Sequence, residues 1–198
     1  MKTGVVKFGQ KFVSILSLVL ATAYAPATFA GDAIPVCPAN GRPLPVNNDQ
    51  VLNWKFSSPN QFKARGHIRG NVIRVYADHS GHDHFSIRIG QRPQDTIEVI
   101  YNQEFGEIPQ QLAPGTTVEA CGDFIVSNAP SGPYPASPDG AIIHWVHVNP
   151  SGQGHDSGYL VIDGGLFGQD ASKAGPPPKF GKGGNGNNGG FNKNGNRR

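Results

Sequence analysis

The chain has 198 residues, with 17 lysines and arginines against 14 aspartates and glutamates, a formal net charge of +3. No stretch after residue 30 is apolar enough to cross a membrane, which excludes a multispan transporter. Three lysines lie in the first thirty residues and six basic residues follow residue 172, so residues 31–172 hold 8 basic and 14 acidic residues, a formal −6. The net positive charge therefore does not indicate a nucleic-acid-binding domain.

Residues 1–30 have the pattern of a cleavable signal peptide. Three lysines form a positive start, and residues 12–25 are almost wholly apolar. A membrane-spanning helix needs about 20 apolar residues, so this shorter run is typical of a signal-peptide core. Small residues at Thr28 and Ala30 predict a mature chain that begins at Gly31. We expect a periplasmic or secreted protein; an uncleaved membrane anchor is the alternative.

The two cysteines, Cys37 and Cys121, are predicted to form a disulfide. An exported protein meets an oxidising compartment, where an even number of cysteines favours a bridge. Cys37 belongs to a proline-rich arm that has few other means of docking. The bridge would stabilise the fold by roughly 4 kcal/mol on the chain-entropy model. Two separate thiols are the alternative.

Residues 31–170 predict an all-β domain preceded by an arm. Residues 31–60 contain the proline-rich arm and a short helix over 49–56, and residues 61–170 contain short alternating strands. The predicted strands are 67–76, 85–89, 96–101, 115–126 and 141–148, followed by a terminal hairpin over 159–167. Five main strands, with a bend at Gly70 in the first, indicate a small five-stranded OB-like barrel. A β-sandwich is the alternative.

Residues 171–198 form a basic tail rich in glycine and asparagine. The tail offers almost no side chains for a core, so we expect it to be disordered. Such a tail would contact anionic surfaces or nucleic acid, or simply keep the protein soluble.

The residues with the most chemistry in the domain are histidines, which cluster in the sequence. His82 lies in D-H-S-G-H-D-H, His144 and His147 bracket Trp145 in I-H-W-V-H-V-N-P, and His155 follows in G-Q-G-H-D-S-G-Y. Imidazole suits Zn, Cu, Fe or Ni, so these four histidines are candidate ligands of a transition metal such as Zn. Trp145 would supply stacking area for a bound ligand.

Two features of the pattern count against one shared site. His144 and His147 are three residues apart, so a regular strand would point them to opposite faces. The turn before the second strand is expected near the start of the fifth strand, whereas His147 lies toward its end. A bulge or a strand end would bring the histidines together; otherwise they are structural residues around Trp145.

Several sequence motifs of the chain are similar to those of a known family. They are Gly70-Asn71-Val72, His82-Asp83-His84-Phe85, Gly115-Thr116-Thr117-Val118 with Gly122, Ile143-His144-Trp145-Val146-His147-Val148-Asn149-Pro150, His155 and Gly158-Tyr159. Residues 49–168 resemble an uncharacterised family of small exported bacterial proteins, a domain of unknown function.

The resemblance singles out His82, His144, Trp145, His147 and His155 rather than the other three histidines. Where the family has a second histidine and an aspartate, this chain has Val148 and Asn149. The resemblance implies no established activity.

The sequence as a whole predicts an exported binding module with a histidine- and tryptophan-marked site, whose ligand or partner it does not identify. Arg74 and Arg88 are candidate ligand-binding residues in a local positive patch, or else outward-facing strand residues in ordinary cross-strand pairs. No nucleophile elbow and no H-E-x-x-H motif is present. A metal- or histidine-dependent phosphodiesterase is the first alternative, and a surface tether that uses the tail is the second.

Overall fold

A computed structural model describes Met1 and residues 33–172 of the chain. The predicted signal peptide and nearly all of the predicted tail therefore lie outside the described residues. All the elements named below belong to one unit of the chain, Gly31–Arg198. In the described part, no helix combines the length and the apolar character that a membrane span requires.

The described chain is mostly strand. One α-helix, α1 (Asn48–Ser57), and one 3₁₀ turn, Gln103–Phe105, interrupt the strands of this part. The strands are β1 (Pro38–Ala39), β2 (Arg42–Pro43), β3 (Lys63–Val75), β4 (His82–Arg88), β5 (Thr96–Asn102), β6 (Thr117–Val126), β7 (Ala141–His144), β8 (Tyr159–Ile162) and β9 (Gly165–Phe167).

Five strands close into a barrel, which confirms the predicted fold class. Around the barrel the order is β3-β4-β5-β7-β6, and pairing of β6 with β3 closes the circle. The neighbours are antiparallel except for β5 and β7, which run parallel with Glu98 opposite Ile142. The predicted terminal hairpin is present as β8 and β9, which extend the sheet beyond β6.

The strand β3 makes two sets of contacts because it is long and bent. Residues 63–71 pair with β6, and residues 71–75 pair with β4. Gly70 lies just before this change of partner, where a Cβ would collide with the backbone oxygen of Arg88. A register shift follows between Val72 and Arg74. The close approach and the irregularity together curve the strand, as a small barrel requires.

Alternation along the strands separates the core from the outer face. On β4, Phe85 and Ile87 are fully buried in the barrel, and His84 lies on the opposite face because side chains alternate along a strand. Each fully buried aliphatic or aromatic side chain contributes about 2 kcal/mol of transfer free energy. The helix α1 closes one side of this core with Val51 and Leu52.

The N-terminal arm is attached to the barrel by the predicted disulfide, which the structure confirms. Cys37 is bonded to Cys121 on β6 with an S–S distance of 2.07 Å. The arm also folds on itself into the small hairpin β1–β2, and the backbone N–H of Leu44 donates to the Cys37 carbonyl at 2.8 Å.

The strand boundaries differ from the predictions at two places that matter for function. The strand β4 begins at His82, three residues earlier than predicted, so His82 and His84 belong to the sheet. The strand β7 ends at His144, four residues earlier than predicted. It ends there because Trp145 has a φ of 53°, a left-handed conformation that breaks the extended backbone.

Candidate functional site

Six of the seven histidines belong to one continuous series of aromatic rings. In order, the rings are His79, His84, His82, His144, Trp145, His155, His147 and Phe105. Successive ring centroids lie 6.2, 6.4, 5.6, 4.6, 5.3, 5.7 and 3.6 Å apart. These eight side chains are named the ring row. All four histidines predicted as metal ligands are in it.

The topology of the barrel explains why distant segments meet in the ring row. His82, at the start of β4, pairs with Asn102 at the end of β5. Because β7 runs parallel to β5, the end of β7, at His144, lies at the same end of the barrel. The expectation that the turn before the second strand lies near the start of the fifth is therefore wrong. The parallel pair places that turn beside the end of the fifth strand.

Trp145 lies in the middle of the ring row and stacks on a histidine on each side. Its half-buried ring stacks on His144 with an interplanar angle of 24° and on His155 with an angle of 22°. The Lys63 ammonium lies 5.6 Å from the same ring. A bulky residue in the left-handed region costs about 1–3 kcal/mol, and such strain persists where the surroundings enforce it. The neighbouring rings thus occupy much of the stacking surface predicted for a ligand.

The loop after His147 returns His155 to Trp145. The side-chain amide of Asn149 donates to the carbonyls of Gln153 and His155, at 2.9 and 2.6 Å, and so closes the loop. The backbone N–H of Gly158 then donates to the His147 carbonyl at 2.7 Å. A Cβ at Gly158 would collide with the Trp145 carbonyl, so this close return requires glycine.

Hydrogen bonds fix the tautomers of three ring-row histidines. The Nδ1 atoms of His82, His147 and His155 lie 3.0, 2.7 and 2.9 Å from the backbone oxygens of residues 80, 148 and 156. A carbonyl oxygen only accepts, so each Nδ1 carries a proton. In the neutral ring, Nε2 is then the free electron-pair donor.

Burial sets the charge of the central histidines. Burial, followed by the charges of the neighbouring His82, His147, His155 and His84, lowers the pKa of His144 to about 4. Burial also lowers the pKa of His147, which is only 6% exposed, although its bond to the residue 148 carbonyl raises it. At neutral pH, His144 is therefore an uncharged imidazole, the form that binds metals.

The four predicted metal ligands lie in the ring row as two neighbouring pairs. His82 and His144 form one pair at 5.6 Å between centroids, and His147 and His155 form another at 5.7 Å, with Trp145 between the pairs. Within the part of the chain that the structure describes, no three His, Cys, Asp or Glu side chains stand ready around a single metal position. The structure thus brings the four predicted ligands together without assembling them into one four-ligand site.

Two predicted ligand-binding residues lie away from the ring row. Arg88 is exposed four residues beyond His84 on β4, roughly 13 Å by the rise of a strand. Arg74 is also exposed, and its β3 position pairs with Ser86. Both side chains are outward-facing strand residues, and their binding role stays a prediction.

His79, His84 and Phe105 belong to the ring row but are not among the predicted site residues. His84 has a signal in the sequence, because residues two apart on a strand, such as His82 and His84, share a face. Phe105 gave no such signal, since it stacks on His147 at an interplanar angle of 12° from the 3₁₀ turn after β5.

Comparison of the chain with protein-family models gives no match, and no curated protein matches it. The chemistry of the ring row therefore rests on the side chains themselves.

Proposed function

We propose that the protein is an exported binding module that takes up transition-metal ions through the imidazoles of the ring row. The observation that carries this proposal is the hydrogen bonding of His82, His147 and His155. Each donates Nδ1–H to a backbone carbonyl, and Nε2 has no hydrogen-bond partner within residues 33–172. Metal-binding histidines characteristically use one ring nitrogen for the ion and the other for such a partner.

The spacing of the two pairs supports the proposal. Zinc–nitrogen bonds are about 2.0–2.1 Å, which places the centroids of two imidazoles on one tetrahedral ion about 5 Å apart. The separations of 5.6 and 5.7 Å are within small side-chain rotations of that value. Each pair would leave coordination positions for water or for a group from a partner, which suits uptake and transfer better than a structural role.

The donor set also indicates which metals would bind. Imidazole suits Zn, Cu, Ni and Fe, and affinities of such nitrogen sites follow an order in which Cu²⁺ binds more tightly than Zn²⁺ or Ni²⁺. The acidic excess of residues 31–172 favours the approach of a cation. The resemblance to an exported bacterial family supports the same residues, since it singles out both pairs and Trp145.

Export remains part of the proposal. The signal-peptide pattern of residues 1–30 supports it, and a disulfide between Cys37 and Cys121 is typical of an oxidising compartment. Sequencing the N-terminus of the protein from the periplasmic fraction or the medium tests this part. A mature chain that starts at Gly31 is the expected result, and an intact N-terminus in the membrane fraction would contradict it.

The metal proposal is tested on protein produced from the whole chain without a polyhistidine tag. We expect elemental mass spectrometry and Cu²⁺ titration calorimetry to show two ions per chain, one at each pair. His144→Ala would remove the first ion and His147→Ala the second, because each variant leaves one imidazole in its pair. Arg88→Ala is the matched control and keeps both ions. Wild-type protein that binds no Cu²⁺, Zn²⁺ or Ni²⁺ would refute the proposed function.

The phosphodiesterase and tether alternatives stay predictions. Arg74 and Arg88, the two arginines predicted to bind a ligand, lie on exposed strand positions and are not members of the ring row, so the metal-binding function is the better supported of the three.

A further inference from the structure

A cavity of about 400 Å³ opens at one end of the barrel, on the inner face of β4. Asp83 and Phe85 line it, and these two side chains share a face because they are two residues apart on the strand. The rest of the lining comes from the chain after β3 and from residues 103–112, which follow β5. Ligand pockets commonly have volumes of about 300–1,000 Å³, so the cavity is large enough to hold a side chain or a small ligand.

The lining of this cavity divides into an apolar floor and an acidic rim. The floor contains Phe85, which is fully buried, and the partly buried Ile108 and Leu112, which pack against the barrel core. The rim carries the carboxylates of Asp78, Asp83 and Glu107. We name this feature the acidic cavity. Its chemistry suits an occupant that combines an apolar group with a positive charge.

The rim carboxylates have no cationic partner within residues 33–172. The ion pairs of this part of the chain use the acids Asp95, Glu98, Glu119 and Asp123 instead. Asp83 accepts a hydrogen bond from the side-chain amide of Gln103 at 2.9 Å. Burial and the nearby Asp78 raise the pKa of Asp83, against the lowering effect of the Gln103 bond. A positive charge at the rim would relieve this repulsion between carboxylates.

The described chain passes the rim of the acidic cavity just before it ends. The backbone N–H of Asp170 donates to the Phe105 carbonyl at 3.4 Å, and a Cβ placed on Gly106 would lie 3.7 Å from the Asp170 Cβ. Gly106 directly precedes Glu107 of the rim. Each residue spans at most about 3.6 Å, so a side chain up to nine residues beyond Asp170 can lie anywhere within about 30 Å of it. The whole rim is therefore within reach of the tail.

The sequence of the tail complements the acidic cavity. Six basic residues follow residue 172, against the formal −6 of residues 31–172. The tail has two large apolar side chains, Phe180 and Phe191, and only Phe180 stands directly beside a cationic residue, Lys179. We propose that the tail of the same chain occupies the acidic cavity, with Lys179 at the carboxylates of the rim and Phe180 on the apolar floor. This interaction goes beyond the proposed metal uptake and does not depend on it.

A weak contact is enough to keep the tail in the acidic cavity. Six residues, 173–178, separate Lys179 from the last described residue, and a short linker gives its two ends a millimolar effective concentration. A segment with millimolar affinity would therefore be bound for about half of the time. Segments of other molecules must reach that concentration in solution to compete, which favours the chain's own tail as the occupant.

Photochemical crosslinking tests the proposal on protein produced from the whole chain. A benzophenone amino acid replaces Phe180, and mass spectrometry locates the crosslinks after irradiation. We expect them within residues 103–112 of the same chain, with a yield that does not change on dilution. The same amino acid in place of Phe191 is the matched control. It should give a lower yield there, because Phe191 is flanked by Gly190 and Asn192 rather than by a lysine.

Charge reversal tests the pairing between Lys179 and the rim. Glu107 is exposed, so Glu107→Lys should leave the fold intact. Glu107→Lys and Lys179→Glu should each lower the crosslink yield from position 180 by about two- to fivefold, the effect of one exposed ion pair. The double variant should restore it, since the opposite charges face each other again. Lys193→Glu has the same net charge as Lys179→Glu and should keep the wild-type yield.

The proposal is overturned if position 180 gives no crosslink within residues 103–112, or crosslinks spread evenly over the domain. Crosslinks only between two chains, or only to added anionic lipid vesicles or an oligonucleotide, would overturn it as well, because the tail would then serve another partner. A double variant that stays as low as the single variants would refute the pairing of Lys179 with the rim.

Discussion

His67 and three histidines of the ring row differ in how many of their ring nitrogens have a hydrogen-bond partner. His67, on β3, has partners on both ring nitrogens: Nδ1 donates to the Leu44 carbonyl at 2.7 Å, and Nε2 lies 2.9 Å from Glu119 and 3.1 Å from the Tyr159 hydroxyl. Among the residues that the structure describes, His82, His147 and His155 of the ring row have a hydrogen-bond partner on Nδ1 alone, a backbone carbonyl in each case. His67 and its three partners are named the His67 cluster.

The difference gives a criterion that separates structural histidines from histidines suited to bind a ligand. A histidine whose two ring nitrogens both bond to other residues of the fold has no nitrogen left for a ligand. A histidine with one nitrogen anchored and the other free is oriented for an external partner. The His67 cluster also lies beside the disulfide, because Cys121 pairs in register with both His67 and Tyr159. It therefore helps attach the arm, while the ring row lies at the end of the barrel.

Removal of the disulfide beside the His67 cluster should have the largest effect on stability and should leave the ring row intact. The Cys37→Ala/Cys121→Ala double variant should lose about 4–5 kcal/mol of unfolding free energy on the chain-entropy model, because the bridge joins residues 84 apart. Urea unfolding measures the loss, and reducing the wild type with a dithiol is the control. Metal binding by the variant at low temperature should persist. A disulfide-free protein with unchanged stability would show that the bridge does not stabilise the fold.

A smaller effect is expected from the His67 cluster. His67→Leu leaves the partly buried Glu119 carboxylate without its imidazole, which costs about 3 kcal/mol. Urea unfolding should show this loss, while elemental analysis shows the same metal content as the wild type. His79→Leu, at an exposed ring-row position, should change stability by less than about 0.5 kcal/mol. Loss of metal from His67→Leu with intact stability would reverse the two roles.

The sequence predicts the strands of the barrel well, because each strand is indicated by residues that are close together along the chain. Alternation of apolar residues in β4 and β5, together with turn residues between strands, is readable without knowing the neighbours. The disulfide is also predictable, since a chain with a signal-peptide pattern and two cysteines favours a bridge between them.

The arrangement of the ring row could not be predicted in the same way. It depends on the parallel pairing of β5 with β7 and on the left-handed backbone of Trp145, and neither has a sequence signature. The contact between His84 and Glu98 likewise joins residues 14 apart along the chain. Such contacts between elements are set by the tertiary fold.

Alkaline pH gives the smallest expected effect, and it compares Tyr159 of the His67 cluster with Tyr76, which lies outside both regions. Burial, followed by its bond to Glu119, raises the pKa of Tyr159 in the His67 cluster. Burial and then Asp139 raise the pKa of Tyr76, over the outer face of the sheet, to about 12. Both phenols have pKa values of about 10 when unfolded. The unfolded state therefore loses these protons first, and the folded state keeps them to higher pH.

Stability from both tyrosines should be complete below about pH 10 and should fall as pH rises through the folded pKa values. Urea unfolding between about pH 9 and pH 12 measures this fall. Tyr159→Phe and Tyr76→Phe should each flatten part of it, and the double variant should flatten more than either, because the two hydroxyls bond to different carboxylates. A slope that both variants leave unchanged would mean that these bonds do not hold the protons.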